Sequence, residues 1–259
     1  MTVDVNAYLG HWPFRPLHYN TADGLITLMD RNGIDRAVVS SIHGIFYKNS
    51  QTANEELIAE IAPHRDRLIP FATLNPMYVD WEEDLKRCRD LGMRGLRLFP
   101  VYHNYTLTDE ESLHLIRQAT EWGWSIAVPM RVVDIRQRHW MDVAEQVPMS
   151  DFEAVVRKCP ETPFVFLNGI GFENSSFVKD ESLKQARFMI GISRLTSVLT
   201  ESIPKLLDAL GPSKLVFGSG IPFKIPKPAL LKIEILDADR EVKERIYGGN
   251  AAELLGLQS

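Results

Sequence analysis

Residues Thr108–Met130 read TDEESLHLIRQATEWGWSIAVPM, and this stretch carries the unit that recurs along the chain. Thr108 and Glu111 have the spacing of a capping box. Leu113, Ile116 and Ala119 follow on one helical face, and Gly123 supplies a stop. Ser125–Met130 is short and apolar without polar alternation, as in a strand covered on both faces. A helix feeding a buried strand through a tight turn is half of a parallel crossover.

The same alternation extends both ways. Strand-sized runs lie at Val3–Leu9, Arg36–Ile42, Leu68–Leu74, Gly95–Phe99, Ser125–Met130, Phe164–Leu167, Phe188–Ile192 and Lys214–Phe217. Thr21 precedes Leu25, Leu28 and Met29, which end at Asn32-Gly33. Asp80 and Glu83 precede Leu85 and Leu91, which end at Gly92. Thr200 or Glu201 opens Lys205–Leu210, which ends at Gly211-Pro212. The weakest unit is polar Asn174–Arg187. A charged helix is expected around Asp239–Arg245, with Gly248-Gly249-Asn250 capping a short helix through Leu255. Eight such units in 259 residues predict an α/β fold, a (β/α)8 TIM barrel formed by one domain over residues 1–259. The rival, an open doubly wound sheet, lacks a GxGxxG after its first strand.

Composition narrows the function. Apolar residues are 45% and charged residues 24%, which excludes wholesale disorder. Net charge is −5, so a general nucleic-acid or anionic-membrane binder is not expected. The start, Met1–Asn6, has neither the basic nor the apolar region of a signal peptide, and no apolar run is long enough to span a bilayer. Cys88 and Cys159 lack a CxxC partner, and two free thiols in a cytoplasmic protein are expected.

Several segments together resemble a known family. Asp4-x-Asn6-x-Tyr8 is similar to the Asp-x-His-x-His opening of the amidohydrolase superfamily, in the amidohydrolase-2 branch that includes decarboxylases of aromatic acids. The likeness continues in Gly95–Pro100, Val165–Gly171, Leu215–Pro222 and the tail Tyr247–Gly256. The resemblance implies a divalent metal held by two histidines after the first strand, by histidines at strands five and six, and by an aspartate after strand eight. Those positions hold Asn6, Tyr8, Pro129, Asn168 and Gly220 here. Asparagine is a weak ligand, and tyrosine ligates only as phenolate. Proline and glycine offer no side-chain ligand, so no metal and no cofactor are expected. The family also has metal-independent members, including a lactonase of a pyrone dicarboxylate, so loss of the metal does not imply loss of activity.

In such a barrel, chemistry sits in the loops after the strands. Val3, Val5 and Ala7 are expected to face the helices, and Asp4, Asn6 and Tyr8 the interior. The strand-end loops contain Arg15, Lys48, Arg131, Arg136, Arg138, Arg194 and Lys224. With the fifth loop counted to Trp140, Asp134 is their only acid. Arg97 adds a charge if Gly95, Arg97 and Phe99 point inward. A positive mouth suits a small anionic substrate held by arginine forks. The substrate-binding candidates are Asn6, Tyr8, Arg97, Arg131, Asn168 and Arg194, of which Asn6, Tyr8 and Asn168 form a polar floor.

His11, His18, His43, His103 and His139 fall in the same loops. His11 and His103, in aromatic loops, are the acid/base candidates, joined by Asp134 in the longest loop. A relocated metal site among His11, His43, His103 and His139 is an alternative. Trp12, Phe14, Phe46, Tyr47, Tyr102 and Tyr105 are expected to wall a pocket or to line a homo-oligomer interface. The expected function is a metal-independent hydrolase or decarboxylase of a small carboxylate. The alternative is an inactive barrel that binds a small anion or a protein partner.

Overall fold

The computed structural model describes residues 1–257. Eight strands form in chain order: β1 (Val3–Leu9), β2 (Arg36–Ser41), β3 (Leu68–Pro70), β4 (Gly95–Arg97), β5 (Ser125–Pro129), β6 (Phe164–Leu167), β7 (Phe188–Gly191) and β8 (Leu215–Val216). Every pairing is parallel, in two arcs, β1-β2-β3 and β4 through β8. Two seams close the arcs into a barrel. At β3–β4, the Arg97 N–H donates to Ala72 O at 2.8 Å and Ala72 N–H to Gly95 O at 2.8 Å. At β8–β1, Val5 N–H donates to Phe217 O at 3.1 Å and Tyr8 N–H to Ile221 O at 2.9 Å. The fold is the (β/α)8 barrel that the sequence alternation predicts.

The core has two layers, as burial on both faces of each strand demands. Val38, Phe71, Ala127, Val165, Leu167 and Val216 fill the barrel interior. Gly95 lacks a Cβ where one would sit 2.5 Å from the Phe71 ring, so glycine there makes room for phenylalanine. Outside, Leu25, Met29, Leu85, Ile116, Phe152 and Leu206 press the helices onto the strands.

Three local expectations need correction. First, the β1–β2 register shifts between Asp4 and Ala7, a β-bulge that reverses the facing of the residues before it. Val3 and Val5 therefore join the interior layer, while Ala7 and Leu9 pack outward. Asp4 reaches the β8–β1 seam, where its carboxylate accepts from Ser219 N–H at 2.9 Å and from the Ser219 hydroxyl. Second, Thr108 and Glu111 form no capping box. The helix Glu110–Glu121 starts after Asp109, whose carboxylate accepts from Thr106 N–H and hydroxyl at 2.8 and 2.7 Å. Third, Gly248-Gly249 do not cap a helix, because helical backbone runs from Arg240 through Leu255. Gly248 instead permits close approach, since a Cβ there would lie 2.2 Å from Met1 O.

Other signals hold. Thr21 caps Ala22–Asn32 by accepting from Gly24 N–H at 3.2 Å, and Gly33 ends that helix at φ +65°. Segment Asn174–Arg187 contains short turns and the five-residue helix Glu181–Gln185. Cys88 and Cys159 are free and buried. Among the described residues, no helix is long and apolar enough to cross a membrane.

Candidate active site

The polar floor forms where β1, β6 and β7 end. Asn6 Nδ2 donates to Asn168 Oδ1 at 3.0 Å, and the Ser193 hydroxyl donates to the same oxygen at 2.8 Å. Asn168 Nδ2 donates to Arg131 O at 3.0 Å. Asn168 adopts φ +54°, a left-handed conformation that asparagine tolerates better than most residues. Among the described residues, Asn6 Oδ1 and the Tyr8 hydroxyl have no hydrogen-bond partner, and burial raises the Tyr8 pKa. The floor is sealed: Asn6 and Tyr8 are 0% exposed and Asn168 is 2%. Trp12, Ile42, Phe99, Val132, Val133 and Phe223 pack with Tyr8 above it.

Arg97 points inward as expected, but its use differs. Its guanidinium donates to Ala7 O at 2.7 Å, Val5 O at 3.0 Å and Val38 O at 3.4 Å. It also lies over the Tyr8 ring at 4.5 Å. The bulge leaves the carbonyls of Val5 and Ala7 outside a regular ladder, and the arginine fork takes them. Arg97 is 0% exposed and committed to backbone, so it is not available to a substrate.

Above the floor lies a rim of cations from four segments. Arg131 follows β5, Arg194 follows β7, Lys224 follows β8, and Lys232 sits on the helix Lys227–Glu234. All four are partly exposed. Lys224 Nζ donates to Asn168 Oδ1 at 3.4 Å, and Lys232 Nζ to Ser193 O at 2.8 Å. Burial, with Arg194, Lys232 and Arg131 nearby, pushes the Lys224 pKa down to about 7. Burial and Arg194 bring Lys232 to about 8.

Asp134 answers this charge but is already engaged. It accepts from Arg136 through both carboxylate oxygens, at 3.1 and 2.9 Å, and pairs with Arg194 at 2.8 Å. The hydrogen bonds from Arg136, with Arg194 adding to them, hold its carboxyl well below the usual range. A carboxylate so stabilised is a weak base, which counters the role expected for it. Its placement suits orientation of Arg194.

The histidine candidates are not joined to one another or to Asp134 by any hydrogen bond. His11 is exposed and stacks on His43 with ring centroids 5.8 Å apart. The His11 N–H donates to His43 Nε2 at 2.9 Å, which leaves His43 Nδ1 to donate to Glu56 at 2.9 Å. Gly10, His11, Thr21, His43 and Glu56 line a side cavity of about 120 Å³. His103 donates from Nε2 to Gly44 O at 3.1 Å, and among the described residues its Nδ1 has no hydrogen-bond partner. Burial lowers the His103 pKa.

The long loop after β5 folds over the rim. Val147 N–H donates to Met130 O at 2.8 Å and closes the base of the loop. The Tyr102 hydroxyl donates to Asp142 at 3.1 Å. Asp142 is a buried acid that the count to Trp140 left out. The loop residues Arg131, Val133, Arg138, Asp142 and Gln146, with Tyr102, line a cavity of about 280 Å³.

A family model described as amidohydrolase matches residues 6–257. The chain belongs to the amidohydrolase family. Solved structures share the amidohydrolase fold with it at low identity. A dihydroxybenzoic acid decarboxylase from Polaromonas sp. JS666, with bound manganese and the inhibitor 2-nitroresorcinol, superposes with a TM-score of 0.78 at 15% identity, covering 99% of this chain and 97% of that one. The 2,6-dihydroxybenzoate decarboxylase from Rhizobium gives 0.77 at 16% identity, covering 100% and 99%. The 5-carboxyvanillate decarboxylase from Sphingomonas paucimobilis gives 0.71 at 15%, covering 99% of each.

The floor of this amidohydrolase does not fit the metal that the family resemblance implies. Asn6 offers only a neutral amide oxygen, Asn168 Oδ1 already accepts from Asn6 and Ser193, and burial raises the Tyr8 pKa and so favours the neutral phenol. Pro129 and Gly220 bring no side-chain donor. The Lys224 amine lies beside Asn168 Oδ1, where its charged form repels a dication. Among the described residues, no group of three or more His, Cys, Asp or Glu side chains is placed to hold a metal, including the loop histidines.

From the sequence, Lys224 is only one of seven loop cations, and neither Ser193 nor Lys232 stands out. Lys224 carried one local signal, its closeness to Gly220. Ser193 and Lys232 carried none, because their partners lie on other strands.

Proposed function

We propose that this amidohydrolase hydrolyses or decarboxylates a small carboxylate without a catalytic metal. One observation carries the proposal. Arg131, Arg194, Lys224 and Lys232 converge on the mouth against Asp134, which Arg136 and Arg194 already occupy. Arg194 has Asp134, but among the described residues Arg131, Lys224 and Lys232 form no ion pair, and a bound carboxylate supplies the missing counter-charge. Arg131 also lines the cavity formed with the β5 loop. The decarboxylases of similar fold are named for carboxylate substrates, which supports the same class of ligand.

In this reading, Arg131 and Arg194 hold the carboxylate in forked hydrogen bonds. Asp134 fixes the Arg194 fork. His103 retains one unpartnered nitrogen for acid/base work. Asn6, Tyr8 and Asn168 support the rim from below. The test is an assay of CO2 release and of hydrolysis over aromatic and aliphatic carboxylates, run in chelator. Turnover should persist in chelator and fall at least tenfold in Arg131→Met and Arg194→Met. Turnover that appears only with added manganese or zinc rejects the proposal.

One observation favours a second reading, a barrel that binds a small anion without turning it over. The floor is packed shut by Trp12, Val132, Val133 and Phe223. Carboxylate binding without turnover of any compound selects that reading.

A further inference from the structure

We propose that Lys224 is a covalent catalytic residue, its Nζ forming an imine with the carbonyl of a small 3-oxo carboxylate whose carboxylate rests on Arg131 and Arg194. The proposal rests on the anion-site reading above and narrows its substrate to a keto acid.

The position of the side chain carries the argument. Lys224 N–H donates to Gly220 O at 3.1 Å, in a tight turn after β8. Gly220 has φ +84°, and a Cβ there would sit 3.3 Å from Lys224 Cδ. Glycine at 220 therefore serves the backbone and leaves room for the lysine stem. The stem carries the amine over the floor, where it makes one long hydrogen bond, 3.4 Å to Asn168 Oδ1. That oxygen already accepts shorter bonds from Asn6 and Ser193. Among the described residues, no carboxylate forms an ion pair with Lys224. An ammonium has three donors, so two are left without a protein acceptor.

A partly buried lysine that lacks a carboxylate but is surrounded by cations is the arrangement that favours the neutral, nucleophilic amine. The pKa near 7 follows from that arrangement. The neighbouring arginines keep their charge and remain able to hold an anion. The same group of cations thus provides an anchor for carboxylate and a reactive amine beside it.

The chemistry balances without an oxidant or a metal. Neutral Nζ adds to C3 of the keto acid, and an amine proton moves to the carbonyl oxygen. That oxygen takes a second proton from solvent and leaves as water, and a protonated imine remains. The C1–C2 bond then breaks and CO2 departs. The freed electron pair runs into the imine nitrogen and gives an enamine. The enamine takes one proton from solvent at C2, and water then hydrolyses the imine to release a ketone and Lys224. Overall, one keto acid anion and one proton become one ketone and one CO2.

The test combines trapping with melting. The protein is incubated with 3-oxobutanoate and borohydride, and the adduct is located by peptide mass spectrometry. The proposal expects one near-stoichiometric adduct on Lys224 and none in Lys224→Arg, which places a cation there but forms no imine. Butanoate, which has no ketone, should raise the melting temperature of both proteins, showing that the variant folds and keeps its anion site. Stabilisation by butanoate with no Lys224 adduct overturns the imine and leaves the anion site standing. Absence of both overturns the two together. An adduct spread equally over Lys48, Lys205 and Lys227 overturns the special role of Lys224.

Discussion

Arg97 and Lys224 are both cations enclosed by protein, but their surroundings differ. Arg97 meets three backbone carbonyls and an aromatic face, so its charge is met by dipoles fixed in the barrel wall. Replacing it with methionine leaves carbonyls of β1 unpaired in the interior. Arg97→Met should lose roughly 3 kcal/mol of stability in urea denaturation. Arg97→Lys should lose nearly as much, because one ammonium cannot reproduce the fork. Lys224 meets other cations, and its pKa falls from 10.5 to about 7. A lysine depressed in this way binds fewer protons folded than unfolded between about pH 7 and 10.4, so stability rises with pH across that window. The cost of the buried charge is full below pH 7, at most about 5 kcal/mol by the size of the shift. Lys224→Met should therefore melt higher than the parent protein at pH 6. The advantage should shrink towards pH 10, as melting curves across pH will show. An advantage constant with pH would mean that the lysine is charged without cost.

At the scale of elements, two features decide what the mouth presents. The β1 bulge turns Val3 and Val5 inward while keeping Asn6 and Tyr8 in the interior. This was not legible, because Val3, Val5 and Ala7 are all apolar and fit either face equally well. Arg97 was legible as inward but not as structural, since its acceptors are backbone carbonyls of β1 and β2 that only the assembled barrel brings to it. The loop after β5 was legible by its length, and its tether, Tyr102 to Asp142, was not. Tyr102→Phe removes that bond and leaves the buried Asp142 short of a donor. It should cost about 1–2 kcal/mol and speed limited proteolysis near exposed Trp140 and Met141. Unchanged cleavage in that loop would show that the bond does not hold it down.

At the scale of the molecule, the barrel follows from the alternation of buried runs and capped helices, and its closure lies in seam bonds that no local pattern encodes. The site is legible only in part for the same reason. Its residues arrive from β1, β5, β6, β7 and β8 and from a helix beyond them. Their types were readable, but their mutual burial, and so the depressed pKa values of Lys224 and Lys232, required the assembled fold. The poor suitability of the side chains at Asn6, Tyr8, Pro129, Asn168 and Gly220 as metal ligands was readable residue by residue. The proposed function is carboxylate binding without a metal at the cationic mouth of a protein of net charge −5. Isothermal titration of chelator-treated protein with citrate tests this most directly. The account predicts saturable binding that weakens as salt rises and is lost in the double variant Arg131→Met/Arg194→Met. Binding that is absent until a divalent metal is added, or that survives in the double variant, would contradict it.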